Sequence, residues 1–553
     1  MSRQCRSLSQ RRPVISMYSM TSTCKNCSLQ FKITDADRAV HKEFEVPAPT
    51  LCSDCRHQRR LAFRNSRNLY QRKCDASGKS ILSIYSPDIP FTVYSPEAWW
   101  SDSWDPCDYG QEVDFSRPFF EQIREVMERV PLLSNMVWNS TNCEYCIFCV
   151  TSKNCYLSTR VGDCEDVFYS YLTVNGNNCF DCYNTYGCEL CYECIDCWKC
   201  YGSQYLQLCK EAVDSYYCYD CVGVSNCFGC VGLRNAEYHI FNKKVSKEEY
   251  EKFIELYRAA NKDELAVMLK KFEAAKLATP HRATILTNTE DCTGDFIVRS
   301  KDVHEGYDVE EVDTGRYVWG SEFCKNIYDT TFGYYSEHCY EQISNTRSTN
   351  ILFTFNAIDS HNLTYCLMCY GNTQDCFGCV SMNKKRYCIL NKQYSKEEYE
   401  ALVPRIIEHM KKTGEFGEFM NPQLSPFAYN ETVAQEYFPL TKEEVLAKGW
   451  RWKEKDKKQY LDGGDLPEGV LSCIECMKNY KIVPQEKVFY KERKIRAPDR
   501  CPDCRHRSRF EKRNPKKLWG RACAKCKKVV QTSYAPDRPE IIYCDECYLK
   551  EVY

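Results

Sequence analysis

Twelve cysteines near the two ends of the chain have the spacing of metal ligands. They form three tetrads: Cys24, Cys27, Cys52 and Cys55; Cys473, Cys476, Cys501 and Cys504; and Cys523, Cys526, Cys544 and Cys547. Each tetrad consists of two CxxC pairs, separated by 24 residues in the first two tetrads and by 17 in the third. Four thiolates placed in this way form a closed tetrahedral shell for zinc, with no open position for water or substrate. We therefore expect three structural Zn²⁺ ions; the alternative is reduced thiols that only pack.

The segment 24–98 recurs as 473–547, and every match is displaced by 449 positions. A second copy of the same spacing strengthens the zinc interpretation. The copies differ at one place, because the counterparts of the third tetrad are Cys74, Ser77, Ser95 and Ala98. Serine and alanine supply no thiolate, so we expect no zinc there.

A basic segment follows the fourth ligand in each copy, at 55–73 and 504–521. If these segments are helices, their arginines project from a zinc-braced element toward phosphates, and the interleaved aromatic residues pack or stack on bases. The candidate nucleic-acid contacts are Arg56, Arg59, Arg60, Arg64, Arg505, Arg507, Arg509 and Arg513. The alternative is a solvated helix whose charges only maintain solubility.

Charge is unevenly distributed, although the net charge of the 553 residues is only -1. Residues 52–73 hold seven Lys and Arg against one acidic residue, and residues 491–528 hold sixteen against four. Residues 143–233 hold four against eleven. The asymmetry favours an anionic partner at the ends of the chain and not along its middle.

The middle of the chain has a strict three-residue period. From Cys143 to Leu233 every third residue is small or aliphatic, and all seventeen cysteines of the stretch share that phase. The period matches neither a helix nor a simple strand, and residues 132–279 lack the prolines that collagen needs. It predicts a β-solenoid with a thin core, and the recurrence of cysteine every nine residues suggests coils of nine or eighteen residues.

A second array continues this phase over 297–369, and after Cys369 the phase moves by one residue. Both arrays end alike, with NCFGCV at 226–231 and DCFGCV at 375–380, each followed by an SKEEY segment. Ser246 with Glu249, and Ser395 with Glu398, have the spacing of capping boxes that open helices. We expect these helices to cover the solenoid ends, and another helix to run over 116–130 until Pro131 stops it.

The array cysteines allow two interpretations. Two quartets have the spacing of four-sulfur metal sites: Cys218, Cys221, Cys227 and Cys230; and Cys366, Cys369, Cys376 and Cys379. Free cysteine also packs as a small hydrophobic residue, and here it alternates with Ser, Val and Ala, which are not thiolate donors. Packing is the favoured interpretation.

Signals of an enzyme are weak. Nine histidines are scattered without an HExxH pattern, and the chain lacks a Walker loop and a GxSxG motif. Asp163, Glu165 and Asp166 could form a carboxylate site, since β-helices host enzymes that cleave polysaccharides; the alternative is an exposed corner of the solenoid.

Forty cysteines in a chain of this length, with metal-ligand spacing, indicate a reducing compartment and not a secreted disulfide scaffold. No run of eighteen apolar residues occurs, so no membrane span is expected, and the first twenty residues lack the apolar core of a secretory signal. We expect a cytoplasmic protein.

The first CxxC pair, followed by Phe31, Ile33, Phe44, Pro49 and the CxxCRxxRR run at 52–60, resembles bacterial proteins with probable treble-clef zinc-ribbon domains. The layout with YSPDIPFTVYSPEAWWSDSWDP at 85–106 and SKNCYL at 152–157 resembles large uncharacterised Cys-rich proteins of this kind. The resemblance implies a metal site and a fold, and no activity. Members of that family keep a CxxC pair where this chain has Ser77, Ser95 and Ala98.

Together these patterns predict a mainly β chain with two related β-solenoids, capping helices and treble-clef zinc-ribbon modules at both ends. The expected segments are a disordered leader (1–20), an N-terminal zinc-ribbon module (21–106), a linker with a helix (107–142), a first solenoid (143–240), a helical segment (241–285), a second solenoid (286–390), a helical linker (391–465) and a C-terminal double zinc-ribbon module (466–553).

The functional hypothesis is a non-enzymatic zinc protein that binds nucleic acid, RNA or DNA, through basic modules held apart by the solenoids. One alternative is a structural or assembly scaffold with protein partners, and a weaker one is a glycan-acting β-helix enzyme. The oligomeric state stays open.

Overall fold

Short parallel strands make up most of the regular structure, with helices between and around them. The computed structural model describes residues 20–552 apart from 323, 332, 334–336, 455–459, 462–465 and 468. Apart from Met20, the predicted leader lies outside the described residues. Among the described helices, none has the length and apolar character needed to cross a membrane. The coarse expectation of a mainly β chain with some helices is confirmed.

The first array pairs its strands in parallel with a constant offset. Thr159 pairs with Tyr171, and Tyr171 with Tyr183, so each partner lies twelve positions further along the chain. Isolated bridges such as that between Gln204 and Tyr216 continue the same offset. The strands are Val137–Trp138, Ile147–Val150, Thr159–Gly162, Glu165–Phe168, Tyr171–Val174, Asn177–Phe180, Tyr183–Tyr186, Ile195–Trp198, Ser225–Phe228, Glu237–Ile240 and Lys243–Lys244.

The second array has the same offset over most of its length, after a first pair, Leu286 with Ile297, that is eleven positions apart. Ile351 pairs with Leu363, which keeps the offset of twelve, whereas Leu363 pairs with Cys376, which is one position further. The predicted one-residue shift after Cys369 is thereby confirmed. The strands are Leu286–Thr287, Gly294–Val298, Lys301–His304, Gly306–Glu310, Asp313–Arg316, Trp319–Glu322, Lys325–Tyr328, Glu337–Tyr340, Ile343–Thr346, Thr349–Leu352, Phe355–Ile358, His361–Thr364, Leu367–Cys369, Gln374–Phe377, Arg386–Ile389 and Lys392–Gln393.

This offset of twelve means that the prediction of nine- or eighteen-residue repeats is wrong. The nine-residue recurrence of cysteine does not follow this register. Inward thiols do donate to the backbone carbonyl nine positions further along the chain, whether or not a cysteine stands there, as from Cys194 to Ser203 (4.0 Å). The thiol of Cys209 donates to the carbonyl of Cys218 (3.4 Å), and the thiol of Cys218 donates to that of Cys227 (3.8 Å). Cysteines nine apart therefore lie in neighbouring turns of the chain without pairing as strand partners.

The three-residue period has a backbone cause. The residue before an inward position repeatedly has a positive φ, as at Arg160 (57°), Asp163 (52°) and Asp166 (54°). This left-handed conformation is unfavourable for most residues and least so for Gly, Asn and Asp. It turns the chain once every three residues and directs the next side chain inward, so the period departs from that of a helix or a flat strand.

The interior of the arrays is narrow and rich in thiols. Cys179, Cys191 and Cys209 are all 0% exposed, and the described cysteines are free thiols. Within the described part of the chain, neither of the two quartets proposed as array metal sites gathers its sulfurs into a metal-binding group. These cysteines pack as small apolar residues.

Helices close the ends of the arrays. Lys247–Ala259 and Lys396–Thr413 begin after Ser246 and Ser395, and both predicted capping boxes are formed. Phe119–Arg129 lies inside the predicted 116–130 helix and ends before Pro131. The other helices are Asp35–Glu43, Ser53–Leu61, Pro96–Trp99, Lys262–Ala278, Val433–Tyr437, Lys442–Ala447, Pro484–Glu492, Pro502–Glu511 and Asp545–Val552, with 3-10 turns at Pro106–Tyr109, Pro422–Leu424 and Tyr429–Glu431.

The terminal segments contain antiparallel hairpins. Their strand pairs are Met20–Thr23 with Gln30–Ile33, Tyr70–Lys73 with Ser80–Ser83, Val470–Ser472 with Asn479–Lys481, and Trp519–Ala522 with Val529–Thr532. Two further pairs connect distant segments: Val93–Tyr94 lies beside Leu132–Leu133, and His281–Arg282 beside Ile542–Tyr543. Each hairpin turn carries a CxxC pair or, at 74–77, its degenerate copy.

Candidate metal centres and the basic helices

All twelve predicted zinc ligands come together in three groups. Within each tetrad the four sulfurs lie within 4.8 Å of one another. Thiol contacts join Cys27 to Cys52 (3.7 Å), Cys476 to Cys501 (3.6 Å) and Cys526 to Cys544 (3.7 Å). Thiolates bound to one zinc ion have this separation, because Zn–S bonds are about 2.3 Å long and tetrahedrally arranged.

A hairpin turn and a helix start supply each tetrad. In the first, the turn is closed by a hydrogen bond from the Ser28 N–H to the Cys24 carbonyl (2.9 Å), and Ser28 has φ 60°. Cys52 is the N-cap of the helix Ser53–Leu61, so Cys55 follows in its first turn. Met477 (φ 62°) and Lys527 (φ 64°) hold the same turn position in the other tetrads.

The peptide backbone favours the thiolate form of the first cysteine in each C-terminal tetrad, whereas the pKa values of Cys501, Cys504 and Cys547 are raised. Burial opposes ionisation of Cys523, but the N–H groups of Cys526 and Cys544 point at its sulfur and lower the pKa of the thiol to about 6. The same balance, with N–H groups of Cys501 and Cys476, lowers the pKa of Cys473 to about 6. Thiolates are the form that binds zinc.

The degenerate site keeps the backbone of its intact counterpart. The N–H of Ser95 donates to the Cys74 sulfur at 3.2 Å, as the N–H of Cys544 does to Cys523 at 3.3 Å. The Ser95 side chain instead caps the helix Pro96–Trp99 by accepting from the Ala98 N–H (3.3 Å). Replacement of three ligands has therefore left the turn geometry in place.

The arginines of the N-terminal basic helix are buried in ion pairs with the second array. Arg56, 2% exposed, donates through Nε to Asp329 at 2.5 Å. Arg59 contacts Glu341 and Glu418, each at 2.6 Å. Arg60, 0% exposed, lies 3.6 Å from Asp329 and 3.9 Å from Glu341. Three guanidinium groups thus face three carboxylates.

The C-terminal basic helix makes the corresponding contacts with the first array, and Arg513 beyond it also contacts the second array. Arg505 and Arg509 each donate to Asp181 at 2.7 Å. Arg513, just after the helix, contacts Asp196 (2.9 Å) and Asp308 (2.8 Å). Burial raises the pKa of Asp308, but Arg513 and Lys516 outweigh it and lower that pKa to about 2.

This burial contradicts the role predicted for these arginines. A guanidinium that contacts phosphate must be accessible, and Arg56, Arg59, Arg60, Arg64, Arg505 and Arg509 are all buried. Arg64 lies 4.2 Å from the centre of the Phe148 ring, and burial lowers its pKa to about 9. Arg513 is held in the ion pairs described above. Only Arg507 among the eight has an exposed side chain, and it pairs with Glu475.

The two helices dock in equivalent ways. Asp181 and Asp329 are 148 positions apart in the two arrays, as are Tyr169 and Tyr317. Arg505 lies 4.6 Å from the Tyr169 ring and Arg56 5.2 Å from the Tyr317 ring. The C-terminal module therefore uses the first array as the N-terminal module uses the second.

The terminal modules also meet each other. Arg67 of the N-terminal module lies 3.1 Å from Asp503 of the C-terminal module. The expectation that the arrays hold the two zinc modules apart is wrong. The array carboxylates were missed from sequence, although their 148-residue spacing is a signal that could have paired them with the duplicated arginines.

The acidic cluster considered for catalysis lies on the array surface. Glu165 is exposed, and its carboxylate accepts from Lys153 at 2.6 Å. Among the histidines whose burial the structure describes, His41, His57, His281 and His506 are buried in packing contacts. His57, for example, lies against Trp319 with 3.3 Å between ring centres.

Comparison with known proteins adds no name to this site. No protein-family model matches the chain, and no curated protein matches its sequence. The interpretation therefore depends on the Cys₄ groups and the docking contacts themselves.

Proposed function

We propose that this chain is a non-enzymatic zinc protein whose three Zn²⁺ ions shape terminal treble-clef modules, and that these modules fasten two β-solenoids together. One observation carries the proposal: the basic helices that begin at zinc ligands are buried against carboxylates of the arrays. A Cys₄ shell has no position for substrate, which supports a structural role for the metal.

The solenoid part of the proposal has a repeat length. Strand partners twelve positions apart and a turn every three residues fit a coil of four triplets. Each coil would direct four small side chains inward, which accounts for the thiol-rich interior. Parallel stacking of identical coils buries a continuous thin core.

We assign the molecule to assembly, with a protein as its partner. The hairpin of the second tetrad exposes Leu471 (37%), Ile474 (61%) and Met477 (55%). Apolar side chains grouped on one exposed turn favour contact with another protein. The arginines that could have contacted nucleic acid are already paired within the chain.

Metal analysis tests the zinc part. We expect the purified protein to contain three zinc ions, and Cys504→Ser to contain two. Hydrogen exchange should then increase in the helix Pro502–Glu511, because its first turn has lost its metal anchor. Cys209→Ser, at a buried array position, is the matched control and should retain three ions. A metal-free protein with full exchange protection would overturn the proposal.

The partner is tested on the tagged full chain isolated from its own cells. We expect a stoichiometric protein partner to be recovered, and Ile474→Asp with Met477→Asp to lose it while keeping three zinc ions. If the double variant recovers the same partner at the same level, this surface is not the binding site. If the wild type recovers nucleic acid and no protein, the assembly role is contradicted.

Nucleic-acid binding stays a second candidate because of one loop. Lys525, Lys527 and Lys528 are exposed on the hairpin of the third tetrad. Electrostatic binding there predicts an affinity that falls steeply with salt and is weakened by Lys527→Glu with Lys528→Glu. If the affinity for nucleic acid changes neither with salt concentration nor with these two substitutions, this candidate function is excluded.

A further inference from the structure

A fourth thiol group lies at the start of the first array, away from the zinc tetrads. The sulfurs of Cys143, Cys149 and Cys155 lie within 4.8 Å of one another. Cys149 and Cys155 are buried at 0% and 1% exposure, whereas Cys143 is partly exposed. The group therefore opens to solvent on one side only.

The pairing register explains how the group forms. Bridges from Thr141 to Lys153 and from Glu144 to Tyr156 place Cys143 and Cys155 in the same column of neighbouring turns. Cys149 lies half a repeat from each and contacts both across the narrow interior. Three thiols thus converge from three positions six residues apart.

Spacing alone does not produce this arrangement. Cys182, Cys188 and Cys194 follow the same six-residue steps and are 0–1% exposed, yet they do not form such a group within the described residues. The trio at the array start is distinguished by its geometry and by its partly exposed member.

The surroundings limit what the trio can hold. Cys149 pairs with Val137 on one side and Val161 on the other, so no further thiol continues its column. Cys146 also contacts Cys149 but lies outside the group. The two valines supply no ligand in that column. Cys149 also donates to the Ser140 hydroxyl at 3.8 Å, but a serine hydroxyl is not a thiolate donor, so an ion held here would have three sulfur ligands.

Charge selects the class of ion. Three thiolates around a monovalent or divalent ion would leave net negative charge among apolar side chains, which is unfavourable. A trivalent ion neutralises all three. Soft sulfur ligands select soft ions, and a trivalent ion with a lone pair needs no fourth ligand.

We propose that Cys143, Cys149 and Cys155 form a binding site for a trivalent thiophilic metalloid of the arsenite class. Arsenous acid condenses with three thiols: three As–S bonds replace three As–O bonds, each thiol proton leaves with a hydroxyl as water, and no electron is transferred. The site is separate from the zinc tetrads and does not depend on their proposed role.

Arsenite titration of the zinc-loaded full chain tests the site, with zinc release followed in parallel. We expect one arsenic per chain at low arsenite, with three As–S bonds by X-ray absorption and no zinc released. Cys149→Ser should lose this equivalent, and Cys143→Ser should too if the first variant is unstable. Serine already occupies inward positions such as Ser158 and Ser170, so both changes suit the fold.

Cys194→Ser is the matched control, because it removes a thiol from the trio that shares the spacing but not the geometry. It should retain the arsenic equivalent. Uptake only with zinc release, or undiminished uptake by folded Cys149→Ser, overturns the proposal. If the chain takes up Cu(I) but not arsenite, and no zinc is released, the charge argument on which the proposal depends is overturned.

Discussion

At the scale of single residues, the chain uses its arginines as internal counter-ions. Buried ion pairs add little net stability, but removal of one partner leaves a buried charge without compensation and is expensive. The carboxylates of Asp181 and Asp329 are 0% exposed and face guanidinium groups from a distant module. We therefore infer that these pairs favour this docked arrangement of module and array over other arrangements, more than they increase the free energy of unfolding.

Glu341 and Glu193 offer a matched test, since they are equivalent in the two arrays, 148 positions apart. Glu341 is buried and contacts Arg59, whereas Glu193 is partly exposed, and the C-terminal module has Ser508 where the N-terminal module has Arg59. We expect Glu341→Gln to destabilise the protein by about 3 kcal/mol, as for a broken buried pair. Glu193→Gln should change stability by less than about 0.5 kcal/mol. Equal effects in denaturant unfolding would refute the assignment.

Two buried histidines give the docked state a pH dependence. Burial lowers the pKa of His281 and of His506 to about 4, below the usual value of 6.5. The unfolded chain therefore binds protons first as pH falls, so stability is lost between about pH 6.5 and 4. Replacement of His506 by Gln should flatten this loss in urea unfolding at pH 7 and pH 5. An unchanged slope would show that His506 is not buried in the neutral form.

At the scale of elements, the turn that carries the first CxxC pair of a tetrad has the same backbone geometry in the degenerate copy, where three of the four cysteines are absent. Cys74 receives an N–H bond from Ser95 as Cys523 does from Cys544. Local hydrogen bonds and the helix start define the turn, and a bound metal would stabilise it by joining the hairpin to the helix.

Restoration of the degenerate site follows from this. Ser77→Cys, Ser95→Cys and Ala98→Cys together should add one zinc ion per chain and raise the melting temperature, because bound metal stabilises the folded form. Ala98→Cys alone is the control and should add none. An unchanged zinc content in the triple variant would mean that the preserved turn does not place four sulfurs correctly.

Local patterns were predictable from sequence, and long-range contacts were not. The CxxC tetrads, the boxes at Ser246 and Ser395, and the phase shift after Cys369 depend on neighbouring residues or strict periods. The twelve-residue offset was missed because the recurrence of cysteine every nine residues does not follow the strand register. The role of the arginines was misassigned because a basic helix has the same composition whether it faces phosphate or a carboxylate of the same chain.

At the scale of the whole molecule, the two terminal modules and the two arrays contact each other crosswise. The N-terminal module docks on the second array and the C-terminal module on the first, and the modules meet where Arg67 contacts Asp503. Contacts between residues as far apart as Arg505 and Asp181 close the chain on itself. We therefore expect loss of zinc at one end to loosen an array that is remote in sequence.

The most direct test of the central claim is a double-mutant cycle between Arg509 and Asp181, whose side chains are 2.7 Å apart. The free energy of unfolding is measured for Arg509→Met, Asp181→Asn and the pair. Docking predicts that each single change destabilises the protein and that the double change is less harmful than the sum, by a coupling of at least about 1 kcal/mol. Strictly additive effects would contradict the account, because they would mean that the basic helix does not lie against the first array.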